Sequence, residues 1–190
     1  MTKKRIGAVE RLFPMPCPIV VGGTIDEADG LACAWINVVS STPPTVAMGL
    51  RESRHTLELI RRTGTFTVNI PTASMAAVVD YFGITSGRTT DKFAASGLTL
   101  SPSALVEAPI IDQCPYNLEC RVAEEVMVGV YHVILGEVVE AHAEESVLTE
   151  GDQVDVGALD PLVYIAGARE YRRLGEKVAD AFSVGRSVGE

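Results

Sequence analysis

Arg51, Ser53, Arg54, His55 and Thr56 fall within six consecutive positions of the run GLRESRHTLELIRRTG, residues 49–64. Leu57 and Ile60 are spaced three apart and Gly64 follows, so the run predicts a short helix over 55–63 with these five residues crowded at its start. The first turn of a helix carries uncommitted N–H groups and partial positive charge, which is the wrong end for cations unless an anion joins them. With an anion the arrangement makes sense. Such a terminus is an anion site, the planar fork of arginine suits phosphate oxygens, and the Ser53 and Thr56 hydroxyls can complete the shell. The plainer reading is that Ser53 or Thr56 caps the helix while both arginines lie in solvent. In a chain of net charge −9, this local basic concentration favours the anion.

The segment just upstream adds a flat surface. CAWINVVSSTPPTVAMGL, residues 33–50, carries the single tryptophan, Trp35, in a strand shared with Asn37, Ser40 and Ser41, and turns at Pro43-Pro44. An aromatic face, amide hydrogen-bonding capacity and a phosphate pocket therefore lie on consecutive strands. A ligand with a planar ring at one end and a phosphate at the other fits this order, and flavin mononucleotide (FMN) is one such molecule. Taken alone, Trp35 reads better as a core residue whose indole N–H finds a partner.

Short alternating segments must position these groups. PIVVGGT (18–24), CAWINVVS (33–40), TVAMGL (45–50) and FTVNI (66–70) are strand-length and bounded by Gly, Pro or Asp. Phe66, Val68 and Ile70 share one face and Thr67 and Asn69 the other. In NLECRVAEE, Leu118, Cys120 and Val122 point inward while Glu119 and Arg121 point outward, which predicts a sheet with one wet face. A long strand over 130–145 contains Gly136, read as a bulge or barrel bend. Helices are fewer: 55–63; TASMAAVVDYFG, with Thr72 as N-cap and Gly83 as terminator; and one turn, DKFAASG (91–97). The tail REYRRLGEKVADAF reads as polar and mildly helical. Strands in succession with a few helices inserted predict a mainly β chain, an antiparallel barrel closed or half closed. No G-x-G-x-x-G follows a strand, so a Rossmann fold is not expected.

Composition sets the bounds. The 190 residues, 47% hydrophobic and 22% charged, suit one domain able to bury its own core. The acidic balance argues against nucleic acid or anionic membranes as partners. No apolar run is long enough to span a bilayer, and MTKKRIGAVERLF lacks the apolar core of a secretion signal. Cys17, Cys33, Cys114 and Cys120 form no C-x-x-C pair, and the three histidines are scattered, so neither a disulfide framework nor a metal site is expected. The expectation is a cytoplasmic protein with buried thiols.

The order Pro16-x-Pro18, AWINVVSSTPP, RESRHTLELIRRTGTFTVNIP, SGRTTDKF and GEVVEA resembles the flavin reductase-like, FMN-binding split-barrel family, in particular its flavoredoxin branch. The likeness runs from about Pro16 to Tyr171, so a single domain spans 1–190 with a core of about 14–171 and a polar tail over 172–190. The resemblance implies a Greek-key split barrel, non-covalent FMN, and a homodimer with its interface near the flavin. By position, Trp35, Ile36, Asn37 and Val38 would line the isoalloxazine, largely through backbone atoms. Arg51, Ser53, Arg54, His55 and Thr56 would hold the phosphate, and Arg88 and Lys92 would lie near the flavin; the plainer reading for the last two is a solvated loop and helix start.

The implied activity is hydride transfer from NAD(P)H to flavin N5 and then electron transfer to a flavin or redox-protein acceptor. It needs no acid–base pair, and the chain has no recognisable one. Relatives often carry Gly-Asp-His where this chain has Gly129-Val130-Tyr131-His132, and a hydroxyl residue where it has Ile36. His132 is the candidate to position a nicotinamide, against a purely structural role. An FMN-binding electron carrier without NAD(P)H turnover is the alternative, and a flavin-free binding module a third reading.

Overall fold

Three residues decide the shape of the chain, whose computed structural model describes residues 1–189. Cys33, Ala34 and Trp35 alone separate β3 (Glu27–Ala32) from β4 (Ile36–Ser41). The main sheet also contains β2 (Ile19–Thr24), β5 (Pro44–Arg51), β6 (Thr65–Ile70), β9 (Tyr116–Val128) and β10 (Tyr131–Ala143), in the order β3-β2-β6-β9-β10-β5-β4. Strands adjacent in sequence thus stand at opposite edges. Laid flat, seven strands would hold those edges about 29 Å apart, whereas the link reaches about 14 Å at full extension. The sheet must curl until its edges approach. Cys33 N–H donates to the Pro18 carbonyl (2.9 Å) on one side of the seam, and Gly49 N–H donates to the Trp35 carbonyl (2.9 Å) on the other. β3 and β4 do not pair, so the barrel is split, the antiparallel, mainly β architecture expected from the sequence.

The curled sheet encloses an apolar cluster of Val20, Ile36, Met48, Phe66 and Ile134, closed by Leu57 and Ile60 of α1 (His55–Thr63). A second cluster lies outside it, where α2 (Ala76–Ile84) and α3 (Lys92–Ser96) bring Val79, Phe82 and Phe93 against Ile19 and Val21. Strand β2 is therefore apolar on both faces. Two small strands, β7 (Leu100–Ser101) and β8 (Ile110–Ile111), pair with each other, and α4 (Val156–Leu159) leads to β11 (Leu162–Ile165). β11 pairs with β1 (Met15–Pro16) on one side and β12 (Glu170–Arg173) on the other. Gly136 marks the expected bend: β10 slips register between Leu135 and Gly136, and a Cβ there would overlap the Phe66 ring. Gly64, at φ +67°, ends α1 as expected, its N–H donating to the Ile60 carbonyl.

Several expectations need correction. Residues 33–40 are not one strand, because the seam interrupts them. Gly83 lies inside α2, which runs on to Ile84, and Thr72 caps nothing with its side chain, sharing a hydrogen bond with the Ser74 hydroxyl instead. The start of the tail is the strand β12 rather than a helix, and 174–183 holds no helix.

The sheet also lacks the wet face read from Thr67, Asn69 and Glu119. Segment 98–114 covers that face, and all three residues are fully buried. The Thr67 hydroxyl donates to the Pro109 carbonyl, and Asn69 accepts from Ile111 N–H and donates to the Ile19 carbonyl. Glu119 accepts from the Ala104 and Leu105 N–H groups (2.6 and 2.7 Å) and meets His142 Nε2 at 2.6 Å.

Burial pushes the Glu119 carboxyl up, but the two N–H donors and the His142 ring outweigh it and hold it below its ordinary value of 4.5. A lowered carboxyl stabilises the fold above the ordinary value, and that contribution is lost as pH falls through the folded one. Glu119→Gln should therefore cost about 2 kcal/mol in urea denaturation at neutral pH. The gap from the parent protein should shrink in acid; a gap independent of pH would contradict this assignment.

Candidate functional site

The bend between β5 and α1 is tight. Arg54 N–H donates to the Arg51 carbonyl (3.0 Å), and Arg54 takes the N-cap position in extended conformation. Its side chain cannot cap the helix, so the first N–H groups of α1 have no side-chain acceptor. Ser53, Arg54 and His55 face a pocket of about 250 Å³, completed by Thr85, Ser86 and Gly87 at the end of α2. His55 Nδ1 is buried there without a hydrogen bond, 3.8 Å from Asp29 Oδ2. Beneath lies Asp29 of β3, whose carboxylate takes the Lys92 ammonium on Oδ1 (2.8 Å) and the Thr56 hydroxyl on Oδ2 (2.6 Å). Lys92 also donates to the Gly30 and Thr85 carbonyls. The floor is electrically closed, and the cations above it are not.

Leu31, Arg54 and Ile84 are shared with a larger cleft of about 480 Å³ that follows the barrel seam. Its floor is Ala32, Cys33, Ala34 and Trp35. On one wall the Trp35 and Tyr131 rings lie 4.6 Å apart, inclined at 41°, and Arg51 Nε donates to the Tyr131 hydroxyl (3.0 Å). Gly49 lies beside both rings, where a Cβ would make ordinary contact with each. The opposite wall comes from α2 and the β11–β12 hairpin: Asp80, Tyr164, Arg169 and Tyr171. Cys17 and Cys33 also line the cleft, but burial pushes both thiols up to about 12, which leaves them unreactive. All four cysteines are free and buried.

Of the residues singled out in the sequence, the structure brings Trp35, Arg51, Ser53, Arg54, His55 and Thr56 to these two adjoining cavities. Lys92 joins them from below, 3% exposed and committed to Asp29. Ile36 points into the barrel core, and Asn37 and Val38 stand exposed on β4, outside the seam cleft. Arg88 pairs with Glu58 (2.9 Å) beside a neighbouring pocket. His132 faces away from the cleft lining and is held at both ring nitrogens, Nε2 by Glu52 and Nδ1 by Glu125, each at 2.6 Å.

Asp29, Asp80, Tyr131, Tyr164, Arg169 and Tyr171 escaped the sequence reading. Only Tyr131 left a signal, as the residue replacing the usual neighbour of His132. The arginines of the chain differ in how their charge is met. Arg61, Arg62, Arg88, Arg172 and Arg173 each have a carboxylate partner. Among the described residues, the three arginines lining the cleft, Arg51, Arg54 and Arg169, have none. No helix among these residues is long and apolar enough to cross a membrane, and no group of His, Cys, Asp or Glu could hold a metal ion.

The pattern of the flavin reductase like domain matches residues 10–175. A flavoredoxin of Desulfovibrio vulgaris (Miyazaki F) is 33% identical and superposes with a TM-score of 0.92, over 97% of this chain and 100% of that one. A flavoredoxin from Methanosarcina acetivorans is 30% identical, again at a TM-score of 0.92, over 99% and 100% of the two chains. An uncharacterized protein of Archaeoglobus fulgidus is 30% identical over 160 residues, 84% of this chain and 86% of that protein. With its split barrel and its seam cleft, the chain belongs to the flavin reductase-like family, on the flavoredoxin branch.

Proposed function

We propose that this flavin-binding oxidoreductase holds FMN without a covalent bond, with the phosphate at the start of α1 and the ring along the seam. One observation carries the reading. The Arg54 guanidinium without a carboxylate, a helix start without a side-chain cap and a buried His55 Nδ1 that makes no hydrogen bond converge on one pocket of an acidic chain, with Arg51 in the adjoining cleft. A phosphate satisfies all of them together. Lys92 and Thr56 act one layer below by neutralising Asp29, which would otherwise repel the anion.

When bound, the flavin supplies the redox chemistry, accepting a hydride from NAD(P)H and passing electrons to an acceptor. The chain supplies the setting for that exchange. Trp35 and the backbone of Cys33–Trp35 form the surface for the ring, while Ile36, Asn37 and Val38 can contribute only from the edge of the seam. Arg51, steadied by Tyr131, brings positive charge to the cleft wall. Exposed Val38 and Val39 adjoin an apolar groove lined by Leu12, Met15 and Trp35, which supports the homodimer implied by the resemblance.

A second reading, an FMN electron carrier without NAD(P)H turnover, draws on His132: both its ring nitrogens are taken by carboxylates, leaving none to position a nicotinamide. Anaerobic addition of NADH and of NADPH separates the two. Bleaching of the flavin absorbance with either supports the oxidoreductase, and none with both supports the carrier.

The phosphate grip itself is tested by titrating the flavin-free protein with FMN and with riboflavin, which lacks the phosphate. FMN should bind roughly a hundredfold tighter, the worth of about two charge-assisted hydrogen bonds. Equal affinities would remove the phosphate from the pocket.

A further inference from the structure

His132 stands at the centre of a four-member charge cluster outside the cleft. Glu52 Oε2 lies 2.6 Å from its Nε2, and Glu125 Oε1 lies 2.6 Å from its Nδ1. Arg61 of α1 ties the two carboxylates together, donating to both oxygens of Glu52 (2.8 and 3.0 Å) and to both of Glu125. The other neighbours of His132 in the sheet carry no charge, since it pairs with Leu50 on β5 and Met127 on β9. Tyr131, beside it on β10, is bound to Arg51. A carboxylate only accepts, so both His132 contacts are hydrogen bonds when both ring nitrogens carry protons. In that form two anions and two cations balance. Without the second proton one ring nitrogen must accept, and Arg61 Nη2, 2.9 Å from Nδ1, is the donor at hand. Arg61 then serves the ring at the expense of the carboxylates, and the cluster keeps one negative charge in excess. The carboxyls do not absorb that excess near neutral pH, because Arg61 first, and His132 after it, hold both below their ordinary value of 4.5.

Glu52 connects this cluster to the anion pocket. It is the second residue of the turn that the bond from Arg54 N–H to the Arg51 carbonyl closes, and the next two residues, Ser53 and Arg54, line the pocket. Resting on the FMN reading, we propose that His132 sets the charge behind the phosphate grip. Its imidazolium keeps the cluster neutral, and loss of a proton places an uncompensated anion one residue from the phosphate site. His132 is thus a positioning residue that acts through Glu52 and touches neither flavin nor nicotinamide. FMN affinity falls as pH rises through the His132 titration. The Glu52 side chain is 66% exposed, so solvent screening limits the effect to about threefold.

The test is FMN affinity, by fluorescence titration between about pH 5.5 and about pH 8.5, the range that brackets a histidine. Three proteins are compared: the parent, His132→Gln, and His132→Gln combined with Glu125→Gln. The phosphate and His55 are common to all three, so their own protonation drops out of the ratios. His132→Gln should bind FMN about threefold more weakly than the parent at the acid end and equally at the alkaline end. The double variant is neutral again, with Glu52 against Arg61, and should recover the parent's acid-end affinity across the whole range. A merely structural role for His132 would weaken FMN at every pH and would not be rescued by the second substitution. Riboflavin, which lacks the phosphate, should show none of these differences. Where His132→Gln fails to fold, the imidazole NMR signals of His132 in the parent protein give the same reading. FMN should raise their titration midpoint by about half a pH unit, because linkage is reciprocal. A ratio of parent to His132→Gln affinity that is constant with pH, or a midpoint unmoved by FMN, overturns the proposal and leaves the flavin reading standing. No uptake of FMN by the parent protein overturns both.

Discussion

A buried ion pair between Asp29 and Lys92 fixes where this chain can hold an anion. It joins the edge strand β3 to α3, and through the Thr56 hydroxyl it also fixes the first turn of α1. Such a pair adds little net stability, but removing one partner strands a buried charge at a cost of about 3–5 kcal/mol. Its importance is therefore positional. With Asp29 neutralised from below, Arg54 faces the pocket without a carboxylate partner, and the helix start becomes a site rather than a cluster of surface cations.

The seam supplies the other constraint. The link of Cys33, Ala34 and Trp35 forces the sheet to close, and the closure leaves a groove where β3 and β4 fail to pair. The groove floor is backbone with two alanines, so a flat molecule can approach closely. The groove opens at one end onto the pocket above Asp29, sharing Arg54 with it. The shape of the barrel and the placing of the ring and phosphate positions thus have a common origin, the shortness of one connection.

Much of this was legible in the residues. α1 announced itself through Leu57, Ile60 and Gly64, and β6 through the alternation of Phe66, Val68 and Ile70, because local periodicity and capping act over a few positions. The anion pocket was legible because cations at a helix start are locally unreasonable. Other parts were not. Glu119, Thr67 and Asn69 look solvated by type, and only the long segment 98–114, returning over them, buries them. Asp29 sits in the turn-like run EADG, and nothing near it in sequence reveals a partner 63 positions away. The seam contains no Gly or Pro, so its interruption of the strand left no local mark. The β11–β12 hairpin carries three arginines in its last five residues, which hid the two tyrosines that line the cleft.

The central claim is that the start of α1, and not basic charge in general, grips the phosphate. Matched charge reversals at the two ends of that helix test it: Arg54→Glu at the first turn and Arg62→Glu at the last, where Arg62 is already paired with Glu27. FMN dissociation constants from fluorescence titration should rise roughly a hundredfold for Arg54→Glu, with Arg62→Glu staying close to the parent protein. Equal losses in the two variants, or no loss in Arg54→Glu, would contradict the account.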